Sequence, residues 1–143
     1  WGDRAYQYYR QILPLARTDA DTFAVEPYVY CQNICGPEHP QFGRGRNAWL
    51  TGTAAWTYVA GTQWILGIRP TFTGLQIAPV IPADWPGFKA TRLFRGVTYH
   101  ISVERAGQGN RVSLTVDGQP VEGNIVSLPL PGQTEVSVKV VLS

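Results

Sequence analysis

The fold of this chain is decided by residues 26–70, EPYVYCQNICGPEHPQFGRGRNAWLTGTAAWTYVAGTQWILGIRP. In this stretch a polar loop leads directly into a long apolar helix. Between residues 36 and 47, glycines and prolines interrupt every regular pattern and predict a loop. The helix that follows has no charged residue between Asn47 and Ile68, and Gly67 is suited to end it. A helix that is apolar on every side must be buried in a large protein.

The aromatic side chains of this helix are predicted to be core residues, and the loop before it carries polar groups toward the same interior. The rings are Trp49, Trp56 and Trp64. The polar side chains are Gln32, Asn33, Glu38, His39, Arg44, Arg46 and Thr51. Buried polar groups need partners, and a bound ligand is one way to supply them.

The predicted start of the helix suits an anion. Thr51 is a good N-cap candidate, and Gly52 enters the first turn. The first N–H groups of a helix are unpaired and carry a partial positive charge, which favours phosphate. A glycine there lets the anion approach the backbone closely. From these residues alone, an ordinary N-cap is the favoured interpretation.

Composition narrows the classes of function. The net charge of +2 comes from basic residues scattered among acids, which excludes the clustered basic surface of a nucleic-acid-binding protein. No apolar run of ~18 residues predicts a membrane span. The chain of 143 residues fits one domain or two small ones. It has no Met and opens with Trp1 in a helical pattern, so we expect the C-terminal piece of a longer polypeptide.

The two cysteines, Cys31 and Cys35, are the first candidates for metal ligands. Only His39 lies near them in sequence, so they fall short of the four ligands that a structural zinc site needs. We therefore interpret them as reduced, buried thiols of an intracellular protein, and we predict a cytoplasmic location.

After Pro70 the helical spacing gives way to alternation with a period of two. Apolar and polar residues alternate over residues 97–104, and shorter alternating runs cover residues 112–116 and 136–140. Glycine-containing turns separate these runs, as is typical of short strands. We predict an α+β chain whose helices are followed by a small C-terminal antiparallel β-sandwich.

Four motifs carry a family resemblance. They are EPYVYCQ at residues 26–32, GPEHPQFGRGRNAWLTGTAAW at 36–56, ILGIRPTFTGLQIAPVIPADW at 65–85, and TRLFRGVTYHISV at 91–103. Together they resemble the C-terminal end of the inverting glycoside phosphorylases of glycoside hydrolase family 94, the cellobiose, cellodextrin and chitobiose phosphorylase type.

The resemblance implies a fold and a reaction. Residues 1–70 would be the last helices of an (α/α)6 catalytic barrel, and residues 71–143 would be the C-terminal β-sandwich domain. The implied reaction is reversible, inverting cleavage of a β-linked disaccharide or oligosaccharide by inorganic phosphate, which gives an α-sugar 1-phosphate. Phosphate takes the place that an activated water holds in an inverting hydrolase. No cofactor is expected, because phosphate is itself the co-substrate.

The resemblance also assigns roles to residues. It implies that Thr51 and Gly52 bind phosphate and that Gln32 hydrogen-bonds the sugar. An amide both donates and accepts, which suits vicinal hydroxyls, although from sequence alone Gln32 could equally bond nearby backbone. No residue here is assigned as catalytic, because the resemblance places the general acid of the family at an Asp outside this chain. No residue is assigned as a metal ligand.

Other polar residues are expected to be bystanders. We expect Glu26 to orient its loop and His39 to lie near the mouth of the site or at a subunit contact. Arg44 and Arg46 could form an anion-binding nest, but solvated or ion-paired side chains are the plainer interpretation. His100, on the polar face of a predicted strand, is expected to be structural.

The predicted partners are the β-linked oligosaccharide, phosphate, the N-terminal remainder of the same polypeptide and a second subunit of a homodimer, with no nucleic acid and no membrane. Two other classes stay open. One is another (α/α)6 enzyme, either a glycoside hydrolase or the phosphorylase-like domain of a β-glucan synthase. The other is a non-catalytic carbohydrate-binding β-module. Phosphate dependence of cleavage separates the enzymes, and glycan binding by residues 71–143 alone would favour the module.

Overall fold

The computed structural model describes residues 1–143 and has helices in the first half of the chain and strands mainly in the second. The helical elements are α1 (Gly2–Ile12), a 3-10 turn (Pro14–Ala16), α2 (Ala20–Phe23), α3 (Thr53–Val59) and a π-helix (Ala60–Ile65). The strands are β1 (Asn33–Ile34), β2 (Gly45–Arg46), β3 (Ile68–Pro70), β4 (Gly74–Ile77), β5 (Gly87–Phe94), β6 (Val97–Arg105), β7 (Val112–Val116), β8 (Gln119–Val121), β9 (Ile125–Ser127) and β10 (Glu135–Leu142). The α+β class is therefore confirmed.

The chain divides into two compact units. The first unit is formed by residues 4–61, and the second by residues 1–3 together with 62–143. The predicted domain division between residues 1–70 and 71–143 stays a prediction. No helix is both long and apolar enough to cross a lipid bilayer.

The first unit is held together by a small hairpin rather than by a large core. Strands β1 and β2 pair in antiparallel register, with Asn33 opposite Arg46. A Cβ atom at Gly45 would lie 2.6 Å from Val25 Cγ2 and 2.9 Å from Phe23 Cε2. Only a glycine fits there, so the hairpin can lie directly on the few apolar side chains that this unit buries.

The long helix predicted before Gly67 is shorter and less regular than expected. Helix α3 begins at Thr53, and its N-cap is Gly52, so the prediction that Thr51 is the N-cap was wrong by one residue. The chain continues as a π-helix up to Ile65. Gly67 then adopts a φ of 67°, as expected for a glycine that follows a helix.

The prediction that the tryptophans of this segment are core residues was wrong for the chain as it stands. Trp49 is 66% exposed, Trp56 is 75% exposed and Trp64 is 58% exposed. The buried apolar residues of the first unit are few, chiefly Phe23 and Val29. Few buried residues are therefore present in the first unit to cover Trp49 and Trp56, whereas Trp64 belongs to the second unit and has the guanidinium of Arg69 4.1 Å from its ring centre.

The second unit contains two sheets, of which one is mixed and not purely antiparallel. The larger sheet has the order β5-β6-β10-β7-β8, and the smaller has the order β3-β4-β9. Strand β10 pairs parallel to β6 and antiparallel to β7. The prediction of an antiparallel sandwich was therefore wrong for one strand pair. Because β6 and β7 run in opposite directions, any strand inserted between them must be parallel to one of them.

The alternation read from the sequence places one face of each central strand in the core. On β6, Tyr99, Ile101 and Val103 are at most 3% exposed. On β10, the residues from Val136 to Leu142 alternate in the same way. Leu75 and Ile77 of β4 are completely buried. The period of two therefore predicted the buried faces of β6 and β10 correctly, whereas on β7 only Leu114 is buried and Val112 and Val116 are half-buried.

Arg105, at the end of β6, fixes the loops at one end of the larger sheet. Its Nε donates to the carbonyl oxygen of Trp85 at 3.0 Å. Its terminal nitrogens donate to the carbonyl oxygens of Ile81, Pro82, Gly107 and Gly109, and to the side-chain oxygen of Asn110. One guanidinium thus hydrogen-bonds five carbonyl oxygens from two loops.

Replacing Arg105 with Met should lower the free energy of unfolding by about 3 kcal/mol, because these carbonyl groups lose a charged donor. Chemical denaturation followed by far-UV circular dichroism measures the change. The exposed Arg111 makes only backbone hydrogen bonds, so Arg111→Met is the matched control and should change stability by no more than about 0.5 kcal/mol. Equal losses in the two variants would contradict the role of Arg105.

Candidate functional site

A cleft of about 350 Å³ in the first unit is lined by Gln32 and by the start of α3, but not by the predicted phosphate-binding pair, Thr51 and Gly52. Gln32 lines it from one side, and Thr53, the first residue of α3, lines it from another. The remaining lining residues are Gln11, Ile12, Pro14, Arg17, Phe23, Tyr30, Cys31, Asn33 and Ile34. The cleft is thus mixed in character, with apolar walls and several amide groups.

Gln32 is exposed, and its position is fixed by the hairpin beside it. Its backbone N–H donates to the carbonyl oxygen of Arg46 at 3.1 Å. Its side-chain Oε1 accepts a hydrogen bond of 3.0 Å from Nδ2 of Asn47. The acceptor end of the amide is therefore oriented by Asn47, and the NH2 group stays available as a donor to a ligand.

Thr51 and Gly52 lie immediately before α3. Thr51 Oγ1 accepts the backbone N–H of Thr53 at 3.1 Å and lies 2.7 Å from Thr53 Oγ1. The Thr51 hydroxyl therefore caps the first N–H group of α3, although Thr51 lies one residue before the N-cap position. Gly52 is exposed with a φ of −76°, and a Cβ atom there would meet Trp56 Cδ1 at an ordinary 3.7 Å. Neither its conformation nor its neighbours require a glycine.

The helix that follows departs from regular geometry within two turns of this start. Thr57 Oγ1 donates to the carbonyl oxygen of Thr53 at 2.6 Å, a contact that tends to bend helices. The π-helix begins at Ala60, and a Cβ atom at Gly61 would lie 2.8 Å from the Tyr9 hydroxyl. Gly61 therefore permits the close approach of α1 to this turn.

The one arginine that lines the cleft is committed to a carboxylate. Arg17 Nε donates to Asp19 Oδ1 at 2.9 Å, and the guanidinium lies 4.0 Å from the centre of the Phe23 ring. The hydrogen bond from Arg17 is the main cause that lowers the pKa of Asp19 below its ordinary value. Arg17 is thereby held against one wall of the cleft.

Glu26 and His39 both make local contacts within the loop that precedes α3. Glu26 Oε1 accepts the indole N–H of Trp49 at 3.3 Å, which ties the two ends of the loop together. The Trp49 ring meets Tyr28 edge-on, with 6.2 Å between ring centres. His39 Nδ1 accepts the backbone N–H of Gln41 at 3.0 Å.

Arg44 and Arg46 line a second, shallower cleft on the same unit and form no ion pair. Arg46 Nη1 donates to Gln41 Oε1 at 3.4 Å. Of the two plain interpretations, solvated side chains describe them better than ion-paired ones. On the second unit, His100 lies on the exposed face of β6 with Nε2 3.8 Å from Glu135 Oε2, in agreement with a structural role.

The two cysteines are unpaired and differ in exposure. Cys35 is buried, but Cys31 is only half-buried and lines the cleft, so the expectation of two buried thiols was wrong for Cys31. No group of three or more His, Cys, Asp or Glu side chains is arranged to hold a metal ion.

Asn47, Thr53 and Arg17 are neighbours of the predicted site that were not predicted from the sequence. Asn47 has a φ of 54°, and this left-handed conformation turns its side chain toward Gln32. The turn-rich segment between β1 and β2 was the available signal, because a hairpin there brings residues 32 and 47 together.

Comparison with known proteins supports the family resemblance of the motifs. Residues 1–67 match the model described as the glycosyl hydrolase 94 superfamily, catalytic domain. An N,N'-diacetylchitobiose phosphorylase of Vibrio proteolyticus is 45% identical over 127 residues, which are 87% of this chain and 16% of that protein. A solabiose phosphorylase of Paenibacillus borealis is 35% identical over 127 residues, again 87% of this chain and 16% of the relative.

A third relative, the cyclic beta-(1,2)-glucan synthase NdvB of Rhizobium meliloti (strain 1021), is 39% identical over 119 residues, which are 80% of this chain and 4% of that protein. The chain thus spans only 16% of the length of these two phosphorylases. The chain is similar to the C-terminal part of phosphorylases and to the glycosyl hydrolase 94 catalytic domain, which confirms the resemblance predicted from the motifs.

Replacing Arg17 with Met should raise the pKa of Asp19 toward the ordinary value of about 3.9, because the main group that stabilises the charged carboxylate is lost. Carbon-detected NMR titration of the Asp19 carboxyl measures this change. The lowered pKa means that the pair stabilises the fold above the unfolded pKa, and this contribution is lost as pH falls through the folded pKa. Arg10→Met is the control, and an unchanged Asp19 titration in Arg17→Met would contradict the assignment.

Proposed function

We propose that this chain is the C-terminal part of a glycoside phosphorylase that cleaves a β-linked disaccharide or oligosaccharide with inorganic phosphate. In this proposal residues 1–70 complete an (α/α)6 catalytic barrel, with Gln32 as a sugar-binding residue and Thr51 and Gly52 as the phosphate-binding pair. The relatives that carry phosphorylase names are the first support for it. No metal or organic cofactor enters the proposed reaction.

The proposed step is a single displacement with inversion. A phosphate oxygen attacks the anomeric carbon and forms the new C–O bond while the glycosidic C–O bond breaks. The leaving oxygen takes a proton from a carboxylic acid, which the family resemblance assigns to an Asp outside this chain. The products are an α-sugar 1-phosphate and a shortened sugar, so this chain would contribute binding and orientation, and the proton would come from elsewhere in the protein.

The observation that carries the proposal is the shared cleft. Gln32 and Thr53 line the same cavity, and the Thr51 hydroxyl is bonded to Thr53. A sugar hydroxyl at Gln32 and an anion at the start of α3 could therefore be held by one ligand-filled site. Asn47 supports this arrangement, because it fixes the orientation of the Gln32 amide in advance.

The exposed rings support a larger catalytic domain. Trp56 and Trp49 are more exposed than expected for tryptophan side chains in a complete globular domain. We propose that the remainder of the barrel, within the same polypeptide, covers these faces of α3 and its loop. A homodimer and a cytoplasmic location stay predictions of the family resemblance.

The similarity to the glucan synthase favours one alternative, a phosphorylase-like domain within a larger synthase. The first experiment separates the alternatives. The complete polypeptide is incubated with β-linked disaccharides, with and without phosphate, and products are identified by NMR. Phosphate-dependent release of an α-sugar 1-phosphate is expected. Release of free sugar without phosphate would contradict the proposal, and so would cleavage of none of the disaccharides.

Replacing Gly52 with Leu should raise the KM for phosphate at least tenfold while the KM for the disaccharide changes less than twofold. The reason is that a bulky side chain obstructs the approach of an anion to the helix start. The fold should persist, because the φ of −76° suits any residue and the nearest side-chain atom lies 3.7 Å from the new Cβ. Gly36, where a Cβ would meet nothing within 4 Å, gives the control Gly36→Leu. An unchanged phosphate KM in Gly52→Leu would contradict the phosphate assignment.

Replacing Gln32 with Ala should impair the use of the disaccharide and not the use of phosphate. We expect kcat/KM for the disaccharide to fall about tenfold or more, with little change in the KM for phosphate. The expected loss corresponds to about 1.4 kcal/mol for one hydrogen-bonding group. Steady-state kinetics of the complete enzyme at saturating phosphate measures it. Gln7→Ala, on the exposed part of α1, is the control. Equal kinetics in the two variants would argue against a sugar contact at Gln32.

A further inference from the structure

Gln32 and Asn47 face each other at the end of the β1–β2 hairpin that is farther from its connecting loop. The register that pairs Asn33 with Arg46 places Gln32 opposite Asn47, one residue further along. The backbone N–H of Gln32 donates to the carbonyl oxygen of Arg46 at 3.1 Å, so the pairing continues beyond the two strands. Cross-strand neighbours of this kind lie within side-chain contact. The backbone of the hairpin therefore brings the two amide side chains together.

The chain is strained where it leaves this hairpin. Asn47 has a φ of 54° and Trp49 has a φ of 70°. Asparagine adopts this left-handed conformation readily, but a bulky residue does so only where its surroundings hold it. The Trp49 indole N–H donates to Glu26 Oε1 at 3.3 Å, and its ring meets Tyr28 edge-on. Strain of this kind is concentrated at functional sites, so it indicates a function for the position of Asn47.

The hydrogen bond between the two amides determines which end of Gln32 is left for a ligand. Asn47 Nδ2 donates to Gln32 Oε1 at 3.0 Å. That oxygen is the acceptor of the Gln32 amide, whereas the Nε2 group can only donate. Gln32 also lines the cleft of the first unit. A ligand in the cleft therefore meets a hydrogen-bond donor at Gln32 and has to present an acceptor.

We propose that Asn47 is a positioning residue that sets the specificity of Gln32, because it holds the glutamine amide so that a sugar oxygen is recognised as an acceptor. The inference rests on the proposed function, since it takes Gln32 as the sugar-binding residue. It goes further by assigning the direction of the hydrogen bond. A hydroxyl that accepts from Gln32 keeps its own proton for another acceptor, which restricts the orientation of that hydroxyl.

A double-mutant cycle in the complete enzyme tests whether Asn47 acts through Gln32. Asn47→Gly removes the side chain and keeps a backbone conformation that glycine tolerates. We expect it to lower kcat/KM for the disaccharide about fivefold, against about tenfold for Gln32→Ala. Independent residues would give a loss of about fiftyfold in the double variant, whereas we expect no more than the loss in Gln32→Ala. The KM for phosphate should stay within about twofold of wild type.

Ala24→Gly is the matched control for this cycle, because the exposed Ala24 lies in the same unit and also has a left-handed φ, of 52°. It should leave the kinetics for both substrates unchanged. Multiplied losses in the double variant, or wild-type kinetics in Asn47→Gly, would overturn the positioning role. An equal rise in the KM for phosphate and for the disaccharide in Asn47→Gly would mean a general effect on the loop and would overturn it as well.

The direction of the hydrogen bond is tested with disaccharide analogues in which a single hydroxyl is replaced by hydrogen or by fluorine. The position that Gln32 contacts is the one where replacement by hydrogen impairs the wild type more than it impairs Gln32→Ala. Fluorine at this position accepts a hydrogen bond weakly and cannot donate one. The wild type should therefore use the fluoro analogue about threefold better than the deoxy analogue, after division by the same ratio in Gln32→Ala, which removes the intrinsic effect of fluorine on reactivity.

Asn47→Asp should abolish this preference for fluorine. Aspartate has the same shape and also tolerates a left-handed φ, but its carboxylate only accepts, so the Gln32 amide should turn over to donate to it. Gln32 Oε1 is then left for the ligand and requires a donor, which fluorine is not. The two analogues are neutral and are compared within one enzyme, so the added charge affects both equally. A wild-type preference that persists in Asn47→Asp would overturn the inference.

Failure of this inference and failure of the proposed function give different results. If the wild type does not cleave the disaccharide with phosphate, the proposed function is wrong and this inference falls with it. An identical analogue profile in wild type and Gln32→Ala would overturn the sugar contact at Gln32. If the wild type cleaves with phosphate and Gln32→Ala is impaired, but both Asn47 variants behave as wild type, only the role of Asn47 is wrong.

Discussion

The insertion of β10 between β6 and β7 is the constraint on which the second unit depends. Without it, β5-β6 and β7-β8 would be two separate hairpins, each too small to be stable alone. Because β6 and β7 run in opposite directions, β10 must be parallel to one of them, and in this fold it is parallel to β6. Arg105 then holds the loops at one end of the same sheet in place through hydrogen bonds to their carbonyl oxygens.

The first unit is organised differently, by one short hairpin and the contacts around it. The β1–β2 pairing brings residues 32 and 47 together, and Asn47 then fixes the amide of Gln32. The same loop is closed at its base by the hydrogen bond between Trp49 and Glu26. Polar groups of the loop thus orient one another, so the glutamine that the proposed sugar site needs is preorganised before any ligand arrives.

The sequence predicted those features that depend on local periodicity. The alternation along β6 and β10 identified Tyr99 and Val138 as core residues, since side-chain direction alternates strictly in a strand. The pattern contains no information on strand direction, so the parallel β6–β10 pair could not be predicted. At the site, Thr51 was recognised by its residue type, but Asn47 depended on a contact fifteen residues away in sequence. The exposure of Trp56 differs from the prediction because burial depends on neighbours and not on the helix itself.

The open rings of the first unit also have a spectroscopic meaning. An indole in water emits at longer wavelength than one enclosed by apolar groups, and Trp49 and Trp56 lie largely in solvent within these residues. Their emission is therefore an intrinsic optical report on whether the faces of α3 and its loop are covered. The chain carries this reporter without any added label, on the helix whose first residue, Thr53, lines the cleft.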